Sequence, residues 1–477
     1  MLSPGAWAVR QFGGVDLKDR RLNRRVTKVA EAMAANPAAS IPDQCGSWGD
    51  TKGAYRLFAD PRATFDSMSR DHWQQTREAM SHGPVTLLVQ DTTWLSFGHH
   101  PATAGLGRHG TGKSKGDYGL HLHGVLTIRP VGDKPAILGL AHARLWARGP
   151  TLLNPNPATR SARRKAADRE SLRWSEAVRQ VGSAPPDGRY LHVGDREADL
   201  FDLYEQTTRL NNVGFVIRGN HDRNARLGHD TPETIDREQV RGSRLKTLIR
   251  AAPPVARGLA LHLAANRGRV ARVASLKLSH SPVTLYSPQV NGRRQQALRC
   301  WCVRVFEPDP PAGVEPIEWI LLTSEPVQSL ADAERIVRYY HWRWLIEEYH
   351  RCLKSGCRVE QRQLASMQSL APLIGMLSIV ATRLLQLKND SRLDPDAPAK
   401  DHAPPEMVQM LCRLDRADPA TLTLREFTRG VAKRGGFLGR NRDGDPGWLT
   451  LWRGWQKLSL ICEGWRLAKR AEDMGKG

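Results

Sequence analysis

The stretch from Tyr340 to Lys354 carries acidic, basic and aromatic residues at spacings that suit one face of a helix. At about 100° per residue, Arg343, Glu347 and Lys354 would lie roughly 60°, 20° and 40° to the same side of Tyr340. Such a face presents one carboxylate between two cations and a phenol, which suits a phosphodiester and a metal ion. The alternative is a solvated, salt-bridged helix face, which a stripe of charges alone more often forms.

Two aspartates follow short apolar runs that predict buried strands. Val85–Gln90 precedes Asp91, and Tyr190–Gly194 precedes Asp195. In open α/β sheets the chemistry gathers at strand ends, so these two carboxylates are expected to lie close together. Two-metal phosphodiester chemistry needs carboxylates from separate elements, and Glu347 could supply a third. Each aspartate taken alone is more often a turn or cap residue.

Several acidic neighbours are alternative ligands. Glu197 and Asp199 follow Asp195 closely, and Glu348 adjoins Glu347, so the residue types alone leave the choice open. Oxygen-only ligands of this kind favour Mg²⁺, with Mn²⁺ as a substitute. Four histidines lack a zinc pattern and are interpreted as ordinary strand and loop residues: His99, His100, His121 and His123.

The whole chain is strongly basic. Over 477 residues, 71 Lys and Arg against 49 Asp and Glu give a net charge of +22. An excess spread along the chain implies a polyanionic partner, and nucleic acid fits this better than a membrane surface, because a long basic amphipathic helix and a lipidation motif are both lacking. The N-terminus does not resemble a secretion signal, so we expect a cytoplasmic, nucleoid-associated protein. The most apolar stretch, Leu370–Leu387, contains several polar residues and predicts a buried core helix.

The N-terminal region is predicted to be helical and basic. Val26 and Val29 belong to an apolar face with helical spacing. Three arginines are among the basic residues that crowd the remaining faces: Arg21, Arg24 and Arg25. The pattern favours a helix that buries one side and lays the other on phosphates, rather than an ordinary solvated helix.

From residue 85 the pattern alternates between strands and helices. Three strands, a helix, a strand, a helix and a strand precede a Gly- and Arg-rich segment with short strand signals at about 219–316, after which Glu318–Thr323 returns to the sheet. This order predicts an α/β fold with an RNase H-like core, in which the segment is a β-rich insertion. The next helix carries Glu347 and is expected to run without a break to Gly356.

The predicted domains follow from these patterns. They are a helical N-terminal domain at 1–80, an α/β domain at 81–387, a Pro- and Asp-rich linker at 388–406 and a helical C-terminal domain at 407–477. In the last of these, Trp448, Trp452 and Trp455 indicate a packing face.

The spacing Y-x2-R-x3-E-x6-K over residues 340–354 is the YREK signature of bacterial cut-and-paste DDE transposases, and the chain resembles the insertion-sequence-four family. The likeness extends to Ile320–Val327, to Gly375–Leu387 and to the blocks around Asp91 and Asp195. It covers about residues 7–470.

The resemblance implies that Asp91, Asp195 and Glu347 are a catalytic triad that binds Mg²⁺ or Mn²⁺. It also implies that five further residues contact DNA near the end of a mobile element: Tyr340, Arg343, Lys354, Arg218 and Trp319. Trp319 would stack on a flipped base; the alternative is a core position beside the sheet. The implied partners are double-stranded inverted repeats, target DNA and a second copy of the chain, joined through its C-terminal domain. The implied reaction frees a 3′-OH, proceeds through a hairpin and joins the ends to target DNA.

Two rival functions are open from the residues alone. One is an RNase H-like, metal-dependent nuclease without strand transfer, which an assay for joined products would distinguish. The other is a non-catalytic DNA-binding regulator. Three converging carboxylates facing DNA argue against the regulator, because binding alone does not need them.

Overall fold

The computed structural model describes residues 3–98, 100, 102–108, 118–149, 169–229, 243–254, 258–263, 271–287, 296–440 and 443–474. His99 and parts of the predicted insertion, residues 230–242, 264–270 and 288–295, lie outside them. The chain divides into two compact units. The first unit combines Met1–Met80, Thr92–Arg160 and Ile346–Gly477, and the second combines Ser81–Asp91 and Ser161–Leu345.

The described helices are α1 (Pro4–Phe12), α2 (Arg20–Ala35), α3 (Ile41–Gln44), α4 (Trp48–Ala59), α5 (Phe65–Met80), α6 (Arg173–Val181), α7 (Phe201–Thr208), α8 (Leu245–Ala251), α9 (Leu330–His341), α10 (Trp344–Arg351), α11 (Met367–Leu393), α12 (Ala399–His402), α13 (Pro405–Asp415), α14 (Leu424–Arg434) and α15 (Trp448–Met474). The described strands are β1 (Val85–Ser96), β2 (Gly107–Arg108), β3 (Tyr118–Val131), β4 (Lys134–Trp146), β5 (Arg189–Gly194), β6 (Val213–Arg218), β7 (Ala225–Leu227), β8 (Leu259–Leu263), β9 (Arg272–Tyr286), β10 (Ala297–Phe306) and β11 (Glu318–Thr323). The sequence therefore forms the predicted α/β fold, with helical regions at both ends.

The N-terminal region of the first unit is helical, as predicted. Helix α2 begins after Asp19, whose carboxylate accepts the backbone N–H groups of Arg21 and Leu22. Such a cap satisfies donors that have no partner within the helix. Val26 and Val29 on its apolar face are buried, so the opposite, basic face is directed outward.

Helix α11 is the central core helix of the first unit. It is the one described helix long and apolar enough to cross a membrane, yet 83% of its most apolar window is buried inside the protein. The predicted core helix is confirmed, but it extends through Leu393, so the predicted linker start at residue 388 is wrong. The reason lies in Lys388 and Ser391, which are buried and bonded within the unit rather than exposed as in a linker.

Helices α12 to α15 form a second hydrophobic cluster in the first unit. Trp452 and Trp455 of α15 are buried against α13 and α14, and Trp448 packs on the edge of the same cluster. The tryptophan packing face predicted from the sequence is therefore confirmed. Thr423 and Glu426 form a capping box that begins α14.

An antiparallel hairpin completes the described first unit. Strand β3 pairs with β4 from His121↔Trp146 to Val131↔Lys134, and β2 pairs with the start of β3. Strand β3 lies beside the second half of β1, where Thr92 Oγ1 contacts His123 Nδ1 at 2.9 Å. His121 packs between Trp94 and Trp146, with ring centroids 4.8 Å and 5.2 Å away.

The sheet of the second unit runs in the order β1, β5, β6, β11, β10, β9 and β7, with β8 beside β9. β1, β5 and β6 are parallel neighbours, whereas β11 is antiparallel to β6. The predicted insertion is β-rich in its described part, as expected. Its strands β10, β9 and β7 extend this sheet beyond β11.

One buried arginine in the first unit joins segments that are far apart in sequence. Arg362 is 5% exposed, and its guanidinium donates to the backbone carbonyls of Pro37, Ala39 and Cys357. Pro37 and Ala39 belong to the turn between α2 and α3, and Cys357 follows the Tyr340–Lys354 stretch. Burial lowers the pKa of Arg362, but arginine remains charged, so these bonds are charge-assisted.

Candidate active site and DNA-binding surfaces

Asp91 lies within β1 rather than at its end. The strand continues to Ser96, so the predicted end of the strand at Asp91 is wrong. The residues after Asp91 explain the extension, because Thr92, Thr93 and Trp94 favour strands. The parallel pairing with β5 is nevertheless described from Val85 to Val89 only, and Asp91 follows two residues later.

Asp195 follows β5 directly and begins a short 3₁₀ turn. Its Oδ1 accepts the backbone N–H of Glu197 at 2.8 Å, and its side chain is half-buried. A Cβ atom on Gly194 would lie only 2.4 Å from the Cβ of Ala198, so the tight turn requires glycine. Because β1 and β5 are adjacent and parallel, the structure places Asp91 and Asp195 at the same edge of the sheet.

Asp199 is unsuited to metal binding. Its buried carboxylate accepts bonds from Arg223 Nη2 at 2.7 Å, from Tyr204 Oη at 2.8 Å, and from the backbone N–H groups of Asn220 and His221, both at 2.7 Å. A carboxylate with this many donors has its lone pairs occupied. Asp199 therefore holds the loop after β5 against the loop after β6.

Glu197 has a cationic partner of its own. Its carboxylate contacts Arg173 Nη2 at 2.7 Å, and its side chain is 66% exposed. Glu197 and Asp199 are thus each paired with an arginine, whereas Asp195 lies directly at the end of β5.

Glu348 is likewise engaged within the first unit. Lys388 Nζ donates to its two carboxylate oxygens at 2.8 Å and 2.6 Å, and the side chains of Lys388 and Glu348 are 6% and 17% exposed respectively. Burial lowers the pKa of Lys388, and the adjacent Glu348 opposes that shift. Glu347, in the first turn of α10, is half-buried and not part of this pair. Glu348 is therefore unsuited to metal binding, and Glu347 stays the predicted ligand.

The helix predicted to carry the whole Tyr340–Lys354 stretch is broken, so its prediction as one continuous helix is wrong. α9 ends at His341 and α10 begins at Trp344. Between them, Arg343 N–H bonds to Tyr340 O and Leu345 N–H to Trp342 O, both at 3.0 Å. These bonds span three residues rather than four, which tightens the turn to about 120° per residue. The angles expected for a straight helix therefore do not apply.

A second irregularity contains Lys354. Cys352–Gly356 forms a π-helical turn in which Cys357 N–H bonds to Cys352 O at 2.8 Å. Such turns are rare and occur often at functional sites. Within the first unit, Lys354 Nζ lies 3.6 Å from Glu360 Oε1, which also accepts the backbone N–H of Ser96 at 2.9 Å.

A chain of contacts links four candidate DNA-binding residues of the second unit. Arg218 Nη2 donates to Glu318 O at 3.2 Å, next to Trp319. The rings of Trp319 and Tyr340 meet edge to face at 5.6 Å, and the Arg343 guanidinium lies 5.8 Å from the Tyr340 ring centroid. Tyr340 is only 5% exposed, so the prediction of an exposed phenol is wrong: the ring is covered by Trp319, which is itself half-buried.

Trp344, which sequence reasoning did not single out, is 48% exposed. Its ring centroid lies 5.9 Å from the Arg343 guanidinium. In a straight helix Trp344 would lie about 40° from Tyr340, beside the charged stripe, so its position was a signal that sequence reasoning overlooked.

Sequence reasoning also missed a buried pair behind the two aspartates. Gln90 Nε2 lies 2.7 Å from His192 Nδ1, and the two residues are 1% and 0% exposed. Burial lowers the pKa of His192 to about 3, so the ring is neutral and Nδ1 can accept the amide N–H. The available signal was a polar residue in each of two otherwise apolar runs.

The donor chemistry of the predicted triad fits a hard divalent cation, because carboxylate oxygens are preferred by Mg²⁺ and Mn²⁺. Asp91 and Asp195 lie at one sheet edge of the second unit, and Glu347 belongs to the first unit. Among the residues that the structure describes, no group of three His, Cys, Asp or Glu side chains lies close enough to hold a metal ion. The meeting of Glu347 with the two aspartates therefore stays a prediction.

Two family models match the ends of the chain. One, described as transposase DNA-binding, matches residues 4–63, which contain α1 to α4. The other, described as the transposase Tn5 dimerisation domain, matches residues 404–475, which contain α13 to α15. These two matches support a Tn5-like transposase. The transposase binds DNA through its N-terminal helices and dimerises through its C-terminal helices, and as a transposase it cleaves and transfers DNA. The family resemblance seen in the sequence is confirmed.

The transposase exposes two basic surfaces within its DNA-binding region. On α2, Arg21 and Arg24 are exposed, whereas Arg25 is half-buried and its Nη1 lies 2.7 Å from Asp50 Oδ1. Lys28 contacts the same oxygen, and hydrogen bonds from Lys28 and Arg25 lower the pKa of Asp50 to about 2. Arg25 therefore joins α2 to α4, and Arg21 and Arg24 are the better candidates for contact with DNA.

The second surface of the transposase is the outer face of α4. Trp48 and Tyr55 are 69% and 39% exposed, and Lys52 Nζ lies 5.2 Å from the Trp48 ring centroid. Residues four and three apart share a helix face, so aromatic and cationic groups alternate there. Sequence reasoning did not identify this face, although Trp48, Lys52 and Tyr55 have the four- and three-residue spacing of one helix face.

Proposed function

We propose that this transposase binds the terminal inverted repeats of a mobile element, excises it by metal-dependent strand cleavage through a hairpin intermediate, and joins the freed 3′-OH ends to target DNA. The observation that carries this proposal is the placement of Asp91 and Asp195 on adjacent parallel strands at one edge of the sheet. Asp199 and Glu348 are buried with cationic partners, whereas Asp195 follows β5 beside Asp91 on the neighbouring parallel strand. This arrangement favours Asp91, Asp195 and Glu347 as the catalytic carboxylates.

Held by these three carboxylates, a pair of Mg²⁺ or Mn²⁺ ions would activate the attacking oxygen and stabilise the leaving oxygen of the phosphodiester. The chain's own task is to position the ligands. Gly194 permits the tight turn at Asp195, and Asp199 fixes the loop that follows. Lys388 pairs with Glu348 in the interior of the first unit and so keeps that carboxylate from acting as a ligand.

Around the triad, cations of the transposase would grip the DNA backbone. Arg218 and Arg343 in the second unit and Lys354 in the first are the proposed phosphate contacts, since guanidinium and ammonium groups bind phosphate oxygens. Lys354 lies near Glu360 in the free protein, and a phosphate would replace that carboxylate as its partner. Trp319 is the proposed stacking platform for a flipped base, and Tyr340, packed edge to face against it, would hold the platform in place.

End recognition is assigned to the N-terminal helices. Arg21 and Arg24 would contact phosphates, while the exposed face of α4 around Trp48 would approach the bases. We further propose that cleavage occurs in a synaptic homodimer, in which the DNA-binding region of one subunit holds the end that the other subunit cuts, and that the transposase acts in the cytoplasm on nucleoid DNA.

Charge-neutral substitutions test the triad. Duplexes that carry the element's inverted repeat are incubated with Mg²⁺ and a target plasmid, and a gel resolves nicked, hairpin, broken and joined products. Asp91→Asn, Asp195→Asn and Glu347→Gln are expected to lose all of these products while still binding the end. Wild-type cleavage by any of the three would remove that residue from the site.

Matched controls come from the neighbouring acids. Glu197→Gln and Glu348→Gln are expected to cleave, because these residues lie next to the proposed ligands in sequence but are held in ion pairs with Arg173 and Lys388 and are not among those ligands. Cleavage without joined products in the wild-type protein would favour a nuclease instead. Binding without any cleavage would favour a non-catalytic regulator.

A further inference from the structure

A buried side-chain bond joins the strands that carry Asp91 and Asp195. Gln90 immediately precedes Asp91, and His192 lies three residues before Asp195. Their amide and imidazole nitrogens are 2.7 Å apart. The backbone register between the two strands is described through Val89↔Val193, so this side-chain bond lies at the point where the paired segment gives way to the two aspartates.

The bond lies on the face of the sheet opposite to Asp91. Successive side chains of a strand point to opposite faces, so Gln90 is directed away from the carboxylate that follows it. On the same face as His192, Gly194 packs closely against Ala198 and Trp174. The pair is thus embedded in the layer beneath the site and does not contact the proposed ligands' oxygens through this bond.

A polar pair is not the most stabilising choice for this position. Both residues are inaccessible to water, and among the described residues His192 Nε2 has no hydrogen-bond partner. Replacing both members of such a pair by apolar groups of similar shape is often neutral or stabilising. A hydrogen bond differs from an apolar contact in fixing direction and distance, which indicates a geometric role.

We propose that Gln90 and His192 are positioning residues that fix the spacing of β1 and β5 at Asp91 and Asp195, and thereby the affinity of these carboxylates for a divalent cation. This inference rests on the proposed function, because it assumes that the two aspartates are ligands. Groups that orient ligands from beneath commonly change metal affinity by about 10–100-fold when they are replaced.

The test uses the full-length protein and Mn²⁺ alone, with free Mn²⁺ measured by electron paramagnetic resonance. In the double variant Gln90→Leu/His192→Leu, the Mn²⁺ dissociation constant is expected to rise about 10–100-fold, while the unfolding temperature and metal-free DNA binding stay near wild type. His192→Asn keeps an acceptor near the position of Nδ1 and is expected to preserve the affinity. Wild-type Mn²⁺ affinity in the folded double variant would overturn the inference.

Two further variants, Gln90→Met and Asp91→Asn, control for misfolding of the double variant and for the location of the metal site. If the double variant does not fold, Gln90→Met removes the donor at nearly constant volume, and unchanged Mn²⁺ affinity in that variant would equally overturn the inference. The variant Asp91→Asn separates failure of the positioning role from failure of the proposed metal site. Loss of Mn²⁺ binding in Asp91→Asn, with no effect of the pair, refutes the positioning role alone; unchanged binding in Asp91→Asn refutes the proposed site as well.

Discussion

Replacing Lys388 by methionine should destabilise the protein without touching the proposed chemistry. Lys388 and Glu348 are joined by two hydrogen bonds and are 6% and 17% exposed. Removing one member of a buried pair leaves an uncompensated charge and costs about 3–5 kcal/mol. Because Glu348 keeps some contact with water, the lower end of that range, about 3 kcal/mol, is expected for Lys388→Met.

Thermal and urea unfolding measure this cost. For a cooperative unit of this size, about 3 kcal/mol corresponds to a fall of roughly 6 °C in the unfolding temperature. Glu348→Leu alone should be similarly destabilised, whereas the double variant Lys388→Met/Glu348→Leu should return close to wild type. If the losses of stability in the two single variants were additive in the double variant, the two side chains would not be coupled. Glu348 would then not be held by Lys388.

Substitution of Glu348 and of its neighbour Glu347 should have opposite effects on stability and on DNA cleavage. Below its unfolding temperature, Glu348→Gln should still nick DNA in Mg²⁺, because its role is structural. Glu347→Gln should unfold at nearly the wild-type temperature but fail to nick. The reverse outcome, a folded and inactive Glu348→Gln beside an active Glu347→Gln, would refute the assignment of Glu347.

Three other perturbations have definite outcomes. Replacing Arg21 and Arg24 together by glutamine should weaken binding to the DNA end. The slope of the logarithm of the binding constant against the logarithm of the salt concentration should fall by about 0.9 for each phosphate that is no longer neutralised, and an unchanged slope would exclude α2 from the interface. Arg25→Gln, which breaks the pair with Asp50, should mainly lower stability. Trp319→Ala should spare the first nick and impair hairpin formation, since base stacking contributes about 1–3 kcal/mol; wild-type proportions of nicked, hairpin and broken products on a gel would return this residue to the core. Burial lowers the pKa of His72 to about 3, so below about pH 6.5 this side chain takes up a proton in the unfolded chain but not in the folded one. The free energy of unfolding that His72 contributes in full above pH 6.5 should therefore fall by about 2 kcal/mol at pH 5. Urea unfolding of wild type and His72→Gln measures this fall, and an equal fall in both proteins would contradict the prediction.

Strands and their adjacent aspartates could be predicted because the signal is local. The apolar run before Asp195 fills β5, and the one before Asp91 forms the first half of β1. Both segments are buried on both faces, and such strands have a recognisable composition. The capping box of Ser329 and Asp332 at the start of α9 has the same local character, because it spans only four residues. Local patterns of this kind are settled by neighbouring residues.

The irregular parts of the candidate site could not be predicted in the same way. A tight turn at Arg343 and a π-helical turn at Lys354 interrupt a sequence whose helical periodicity is good throughout. Likewise, the partner that distinguishes Glu348 from Glu347 is Lys388, which lies 40 residues further along the chain. Tertiary packing decides such details, and the spacing of residue types within one segment does not report it.

The bonds of Arg362 also set an order of events during synthesis. Its two acceptors between α2 and α3 precede it by 325 and 323 residues. At a translation rate of about 5–20 residues per second, roughly 16–65 s pass between the synthesis of these carbonyls and of the arginine that binds them. The DNA-binding region therefore leaves the ribosome first but completes its packing late, after the core helix that follows Arg362 has also been made. A nascent or truncated chain that stops short of residue 362 should expose this turn to proteolysis and chaperones, while the finished chain should protect it.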